Sequence, residues 1–337
     1  MVRLHILFPF QDGPSGGGNR FLTALRQTLR AGGHYAEAPE DADIFLFNSH
    51  HDLHQVFHVK ALFPDKPFLH RIDGPMSAYR GQNDRRDSLV ALARNSVADG
   101  AVYQSHWSQE GNRAAGARPL AFEAVIGNAP DPALFHTSDT ERPSAADGRF
   151  RLTATSWSAN VHKGFDIYAS LDRNLDFSRF DMTFIGNSPI AFNNIRMVPP
   201  QAPHALAAAY RNCDAFITAS ENDPCSNALL EALHAGLPAA ARRSGGHPEI
   251  VGNGGVLFDG TADVLDALER LQSDASAFRA AIRLPDLSEI ASLYLHFARE
   301  VLEAVRQQRI RPKRLGRPAR FFAFRRLRQL EKSMAQN

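Results

Sequence analysis

Short apolar runs alternate with segments of helical period along nearly the whole chain, and this alternation is the feature that most narrows the choice of fold. Leu4–Phe10, Asp43–Phe47, Pro67–Ile72 and Gly100–Gln104 read as strands in the first half. Arg151–Ser156, Asp181–Gly186, Ile195–Val198, Asp214–Thr218, Leu237–Ala241 and Gly255–Phe258 read as strands in the second. Runs this apolar cannot show one face to water, so they predict α/β architecture with a parallel sheet covered by helices on both faces. The intervening helices include one with Phe21, Leu22, Leu25 and Leu29 on a single face, closed by Gly32-Gly33. Between about 124 and 149 the rhythm gives way to Asn128-Ala129-Pro130-Asp131-Pro132 and a polar run from Thr137 to Gly148, which predicts a domain boundary. A chain of 337 residues, 44% hydrophobic and 22% charged, is large enough for two cores. The expected domains are 1–135 and 150–290, with a further segment at 291–337.

The formal net charge of +2 conceals a basic tail, Arg309 to Lys332, in which ten Lys and Arg stand against the lone Glu331. Leu315, Phe321, Phe322, Phe324, Leu327 and Leu330 are interleaved with those cations. Such a helix either lies on an anionic membrane surface or packs its phenylalanines on the body with its arginines in water. No nucleic-acid motif accompanies the charge. The two cysteines, Cys213 and Cys225, have no metal-ligand spacing and point to a reducing compartment. The apolar start is too short for a signal peptide and no run of about 18 apolar residues occurs, so a cytoplasmic protein, peripheral at most, is expected. The pair His50-His51 lacks partners at metal-ligand spacing, and no metal site is expected.

The most informative stretch is Ala219-Ser220-Glu221-Asn222-Asp223-Pro224-Cys225-Ser226-Asn227, leading into Ala228–Pro238. A strand ends in acidic and turn-forming residues, and a helix then begins whose free N–H groups suit a diphosphate. Glu231 lies four residues after Asn227, on the same helical face, where a carboxylate can accept hydrogen bonds from ribose hydroxyls. Two plainer readings stand beside these: Asp223 as an N-cap with Pro224 at the first helical position, and Glu231 as a solvated surface residue.

With Ser244–Gly252 after it, this stretch resembles glycosyltransferase family 4, whose motif is two glutamates separated by seven residues. The matching positions are Asp223 and Glu231, so the first acid is Asp here, with Glu221 nearby as the alternative. The resemblance implies the GT-B fold: two Rossmann-like domains facing across a cleft, an acceptor-side first domain, a donor-binding second, and a final helix, Ser288–Gln307, crossing back. It implies Asp223 near the donor sugar and diphosphate, Glu231 on the ribose, and Glu221, Cys225, Ser226 and Asn227 in the donor site. A second match, Ser156-Trp157-Ser158-Ala159-Asn160-Val161-His162-Lys163-Gly164, makes Lys163 the cation that neutralises a departing diphosphate. Many family members carry Arg six residues earlier, where this chain has Trp157; Arg196 and Arg243 are the candidates to compensate.

In the first domain Leu69-His70-Arg71-Ile72-Asp73-Gly74-Pro75 places Asp73 where the family often has a histidine near the reacting sugar. There it would orient the acceptor hydroxyl or accept its proton, although an Asp-Gly turn explains the same letters. Gly13–Gly18 spells neither dinucleotide nor triphosphate fingerprint, and the resemblance sets Gly17 and Gly18 beside donor or acceptor. The expected activity is transfer of a sugar, with retention, from a UDP- or GDP-linked nucleotide-sugar donor to a hydroxyl acceptor, a cell-surface glycan or lipid-linked saccharide. It needs no separate cofactor and no metal. The alternatives are a catalytically degenerate nucleotide-sugar-binding protein and, without support from a fingerprint, a nicotinamide oxidoreductase.

Overall fold

The computed structural model describes residues 1–11, 17–81, 84–137 and 145–335. The chain divides into two compact units: Met1–Asp12, Leu22–Gly127 and Leu287–Asn337 form the first, and Gly13–Phe21 with Asn128–Asp286 the second.

In the first unit, β1 (Leu4–Leu7), β2 (Ile44–Asn48), β3 (Phe68–Ile72), β4 (Gly100–Tyr103) and β5 (Glu123–Val125) pair side by side in sequence order, all parallel. β1 stops three residues short of the expected end, before Pro9, which has no N–H to give to a ladder. β5, too short and polar to be read from its letters, was not anticipated. Its Glu123 instead takes Arg94 at 2.6 Å and Arg113 at 3.0 Å. Between the strands run α1 (Gly17–Ala31), α2 (Leu53–Leu62), α3 (Met76–Arg80), α4 (Arg86–Val97) and α5 (His106–Ala114). The first turn of α1, through Phe21, groups with the second unit.

The second unit is wound in both directions. Its sheet contains β6 (Phe150–Ser156), β7 (Phe180–Gly186), β8 (Arg196–Val198), β9 (Ala215–Thr218), β10 (Ala239–Arg242) and β11 (Gly255–Phe258), in the order β11-β10-β9-β6-β7-β8. From β6 the chain steps outward through β7 and β8, then returns to place β9 on the other side of β6. The connections after β6 and β9 therefore leave in opposite directions and part at their carboxyl ends, the position at which sheets of this kind hold ligands. Helices α6 (Phe165–Asn174), α7 (Pro203–Arg211), α8 (Asn227–His234), α9 (His247–Val251), α10 (Val264–Ser273) and α11 (Ala275–Ala280) cover it. Ile217 packs with the α6 and α10 side chains and its neighbour Phe216 with those of α7 and α8, so both faces are dry.

The last helices, α12 (Leu287–Arg306) and α13 (Arg317–Ala335), belong to the first unit. α13 packs on α2 and α4, burying Ala323, Leu327 and Leu330 with Phe57 and Val97. Ahead of it, Asp99 accepts from the backbone N–H of Lys313 at 2.7 Å, from that of Phe68 at 2.9 Å and from Lys60 Nζ at 3.3 Å. Burial pushes the Lys60 ammonium below its ordinary pKa, against the pull of Asp99. Phe321 and Phe322 remain 63% and 64% exposed, so the tail realises the packing expectation through its leucines while two phenylalanines face outward. Leu327 is 1% exposed, and Leu327→Ala is expected to cost roughly 2–5 kcal/mol by the void it leaves. A fall in the urea midpoint monitored on first-unit probes measures this; an unchanged midpoint would mean that α13 adds nothing to that core.

Candidate functional site

Lys163 follows β6 and Asp223 follows β9, so the two carboxyl ends that part in the second sheet bring together two residues that the sequence named separately. Lys163 Nζ lies 3.2 Å from Asp223 Oδ2, and the other oxygen of Asp223 accepts from the Cys225 backbone N–H at 3.2 Å. Burial favours the neutral acid, but the charges of Lys163 and His247 and these hydrogen bonds outweigh it and hold the Asp223 carboxyl below the usual range. The backbone makes this approach possible. Gly164 has φ 74°, and a Cβ on it would strike the Ala219 carbonyl; Gly245 has φ 62°, and a Cβ there would strike the Asp223 carbonyl. The Asp223 carbonyl is also the acceptor of the Gly246 N–H at 2.9 Å.

Asp223 does not cap α8. Ser226 takes that position, its Oγ accepting from Leu229 N–H at 3.4 Å, and Pro224 lies outside the helix. The N-cap reading of Asp223 is thereby corrected: its side chain is occupied by Lys163 and the local turn. Cys225 and Ser226 are buried beside it. Glu221, the alternative first acid, is engaged on both oxygens, with Arg242 Nη1 at 2.7 Å and His162 Nδ1 at 3.3 Å. Of the two arginines considered as compensation for Trp157, Arg196 donates to Thr183 Oγ1 at 2.8 Å and Arg243 to Asp259 at 3.1 Å on the surface. Arg242, one residue from the second, is the arginine that reaches this acidic loop.

His247, unsuspected as a functional group, is fully buried. Its Nδ1 lies 3.0 Å from the Arg242 carbonyl, and its Nε2 has no hydrogen-bond partner among the described residues. Burial lowers its pKa, with the Asp223 charge pulling the other way. The signal was present in Ser244-Gly245-Gly246-His247-Pro248, where an imidazole interrupts an otherwise small and apolar turn.

Glu231 is no surface residue: it is 4% exposed, against Arg20 Nη2 at 2.9 Å. Asn227, one turn earlier, accepts from Asn128 Nδ2 at 3.1 Å and abuts Gly17, on which a Cβ would collide with the Asn227 amide. Around Gly18 the space is open, and Gly13 and Gly16 lie outside the described residues. Arg20 was missed because a lone arginine in the first turn of a helix carries no spacing signal.

In the first unit Asp73 stands at the carboxyl end of β3, its side chain 19% exposed. Its Oδ1 accepts from Arg71 Nη1 at 3.4 Å and from Gln104 Nε2, and its carbonyl accepts from Asn112 Nδ2 at 3.0 Å. Buried Arg71 also donates to Asn48 Oδ1. His51 lies in the same group; burial lowers its pKa while the Asp73 charge raises it. Asp87 accepts from the N–H groups of Met76 and Ser77 at 2.7 and 2.9 Å.

Burial pushes the Glu231 carboxyl up to about 7, with Arg20 holding it down in part. Below pH 4.5 the acid is protonated in folded and unfolded chains alike. As pH rises to about 7 the unfolded chain ionises it freely while the folded chain keeps the proton, so stability is lost across that window. Glu231→Gln removes this slope. Its stability relative to wild type is expected to drift in its favour by ~3 kcal/mol between these limits, whatever constant cost the unpaired Arg20 adds. Denaturation curves at a series of pH values read the difference, and parallel pH profiles would overturn the assignment.

Residues 191–283, which carry Asp223, Glu231 and His247, match the family model described as Glycosyl transferases group 1. D-inositol 3-phosphate glycosyltransferase of Corynebacterium diphtheriae is 32% identical over 117 residues, 34% of this chain and 27% of that protein. Sulfoquinovosyl transferase SQD2 of Arabidopsis thaliana is 37% identical over 73 residues, 20% of this chain and 14% of that protein. The chain thus spans about a quarter or less of the length of these curated relatives. The likeness of fold extends much further. Sucrose-phosphate synthase from Thermosynechococcus elongatus superposes with a TM-score of 0.63 over 98% of this chain and 99% of its own, at 13% identity. HepE of Anabaena, solved in complex with UDP-glucose, gives 0.60 over 91% of this chain and 99% of its own, at 16% identity. Segment 191–283 thus matches the group 1 glycosyltransferase family model, and nearly the whole chain has the GT-B fold.

Proposed function

We propose that the chain transfers a sugar from a nucleotide-sugar donor to a hydroxyl acceptor, with retention of anomeric configuration and without a divalent metal. The observation that carries this reading is the Lys163–Asp223 pair where β6 and β9 part. Lys163 neutralises the charge that builds on the departing diphosphate, a fixed cation performing the task a metal performs elsewhere. Asp223 holds the ammonium in place and serves as the first acid; Glu221, bound by Arg242 and His162, braces the loop instead. The first turn of α8, with Asn227, faces the diphosphate, and Glu231 accepts from the ribose. Asp73, fixed by Arg71 and Gln104, orients the acceptor hydroxyl. HepE, crystallised with UDP-glucose, supports a UDP-linked donor by likeness of fold.

One observation favours a second reading. Trp157 is 36% exposed where the resemblance expects an arginine, and neither Arg196 nor Arg243 is paired toward Lys163. A chain that binds nucleotide-sugar but does not turn it over would have this departure, and binding without product in a donor and acceptor screen would establish it. Under the enzymatic reading, Lys163→Ala is expected to reduce turnover by about 10²–10³ with donor affinity less affected. Excess chelator should leave the wild-type rate unchanged. Wild-type turnover in the variant, or loss of rate on chelation, would overturn the assigned charge source.

The acceptor we propose is a cell-surface glycan or lipid-linked saccharide, met at an anionic bilayer through α13. Phe321 and Phe322 protrude beside Arg317, Arg320, Arg325 and Arg328. No helix of the described residues is long and apolar enough to cross a membrane. Co-sedimentation with phosphatidylglycerol vesicles but not phosphatidylcholine vesicles is expected, and Phe321→Ser with Phe322→Ser should weaken it several-fold. Equal binding of both vesicles, or none, would refute the membrane contact.

A further inference from the structure

Arg20 and Glu231 form a close pair whose polar atoms are only partly used. Nη2 meets Oε1 at 2.9 Å, while Arg20 Nε, Arg20 Nη1 and Glu231 Oε2 are buried with no hydrogen-bond partner among the described residues. Buried polar atoms are seldom left so, and three on two touching side chains amount to a half-filled site. Its unused chemistry is two N–H donors beside one carboxylate acceptor. A bare anion would face Glu231 and a bare cation would face Arg20; the complement is a neutral group that offers an oxygen lone pair and an O–H on neighbouring atoms. Vicinal hydroxyls have that form. The Arg20 side chain is 18% exposed and the Glu231 side chain 5%, so the pair is reached from the arginine side.

We propose that Arg20 is a second recognition group for the ribose of the donor, its guanidinium donating to one hydroxyl oxygen of the cis-diol while Glu231 accepts from the other. The inference rests on the reading of Glu231 as the ribose-binding acid, and it assigns to the first turn of α1 a residue that sets nucleotide specificity. Arg20 also lowers the pH at which its partner becomes charged. The groups facing the Glu231 carboxyl are Arg20 from α1 and the buried Tyr210 hydroxyl from α7, and of these only the guanidinium stabilises the carboxylate. A carboxyl buried without it would keep its proton to higher pH and accept less well.

The test compares the full chain with Arg20→Gln, Arg20→Lys and Glu231→Gln by calorimetric titration of UDP, GDP and ADP and the matching 2′-deoxy and 3′-deoxy diphosphates. Wild type is expected to prefer the ribonucleotide by about tenfold or more, the scale of a charge-assisted hydrogen bond lost. Arg20→Gln should lose about tenfold in ribonucleotide affinity, with deoxynucleotide affinity within about twofold of wild type, and should move the acid limit of binding to higher pH. Arg20→Lys should recover part of both, and it carries the test if the Gln variant fails to fold. An intact ribose preference in Arg20→Gln would overturn the proposal, as would tighter binding, which would make Arg20 a plug on Glu231. If Glu231→Gln is also indifferent to the diol, the failure lies in the ribose reading of Glu231, and if wild type binds no nucleotide it lies in the donor reading as a whole.

Discussion

The second unit depends on one constraint: a parallel sheet dry on both faces can carry charge only at the ends of its strands. Phe216 and Ile217 point to opposite cores. The chemistry is therefore displaced to the carboxyl ends, where the reversal of winding between β6 and β9 opens the backbone. Lys163, Glu221 and Asp223 all lie in the two connections that this reversal parts. In the first unit the strands run in plain order, with no such reversal, and the polar group at Asn48, Arg71, Asp73 and Gln104 gathers at successive strand ends instead.

Each acid in these groups already has a cation: Lys163 on Asp223, Arg242 on Glu221, Arg20 on Glu231 and Arg71 on Asp73. The pairing fixes side chains before any ligand arrives, which spares that ligand the cost of ordering them. It also divides labour. Glu221, with both oxygens taken, stiffens its loop, whereas Glu231 retains an oxygen that no group among the described residues uses.

Much of this was legible from letters alone, because apolar strands and their glycine-marked connections follow from local chemistry. Asp223, Glu231 and Lys163 could be named because the stretches that hold them resemble those of a known family, and for Glu231 the place one turn after Asn227 adds a geometric reason. What escaped has a common cause. Arg20 meets Glu231 across more than two hundred residues of sequence, and Arg242 reaches Glu221 through the fold rather than along a helix. Ser226 took the cap from Asp223 because Lys163, supplied by another connection, claimed the carboxylate. β5 was invisible since three residues of mixed polarity have no period to detect.

The strap at Asp99 has a consequence for the order of events during synthesis. The first sheet is translated early, yet Lys313, Leu315, Leu327 and Leu330, which close its core and complete the hydrogen bonds of Asp99, come from the last stretch of the chain. The second unit, by contrast, is almost wholly contained in 128–286. A ribosome therefore releases a finished second unit while the older first unit still waits with apolar surface uncovered. The unit that begins first is therefore the one whose core closes last.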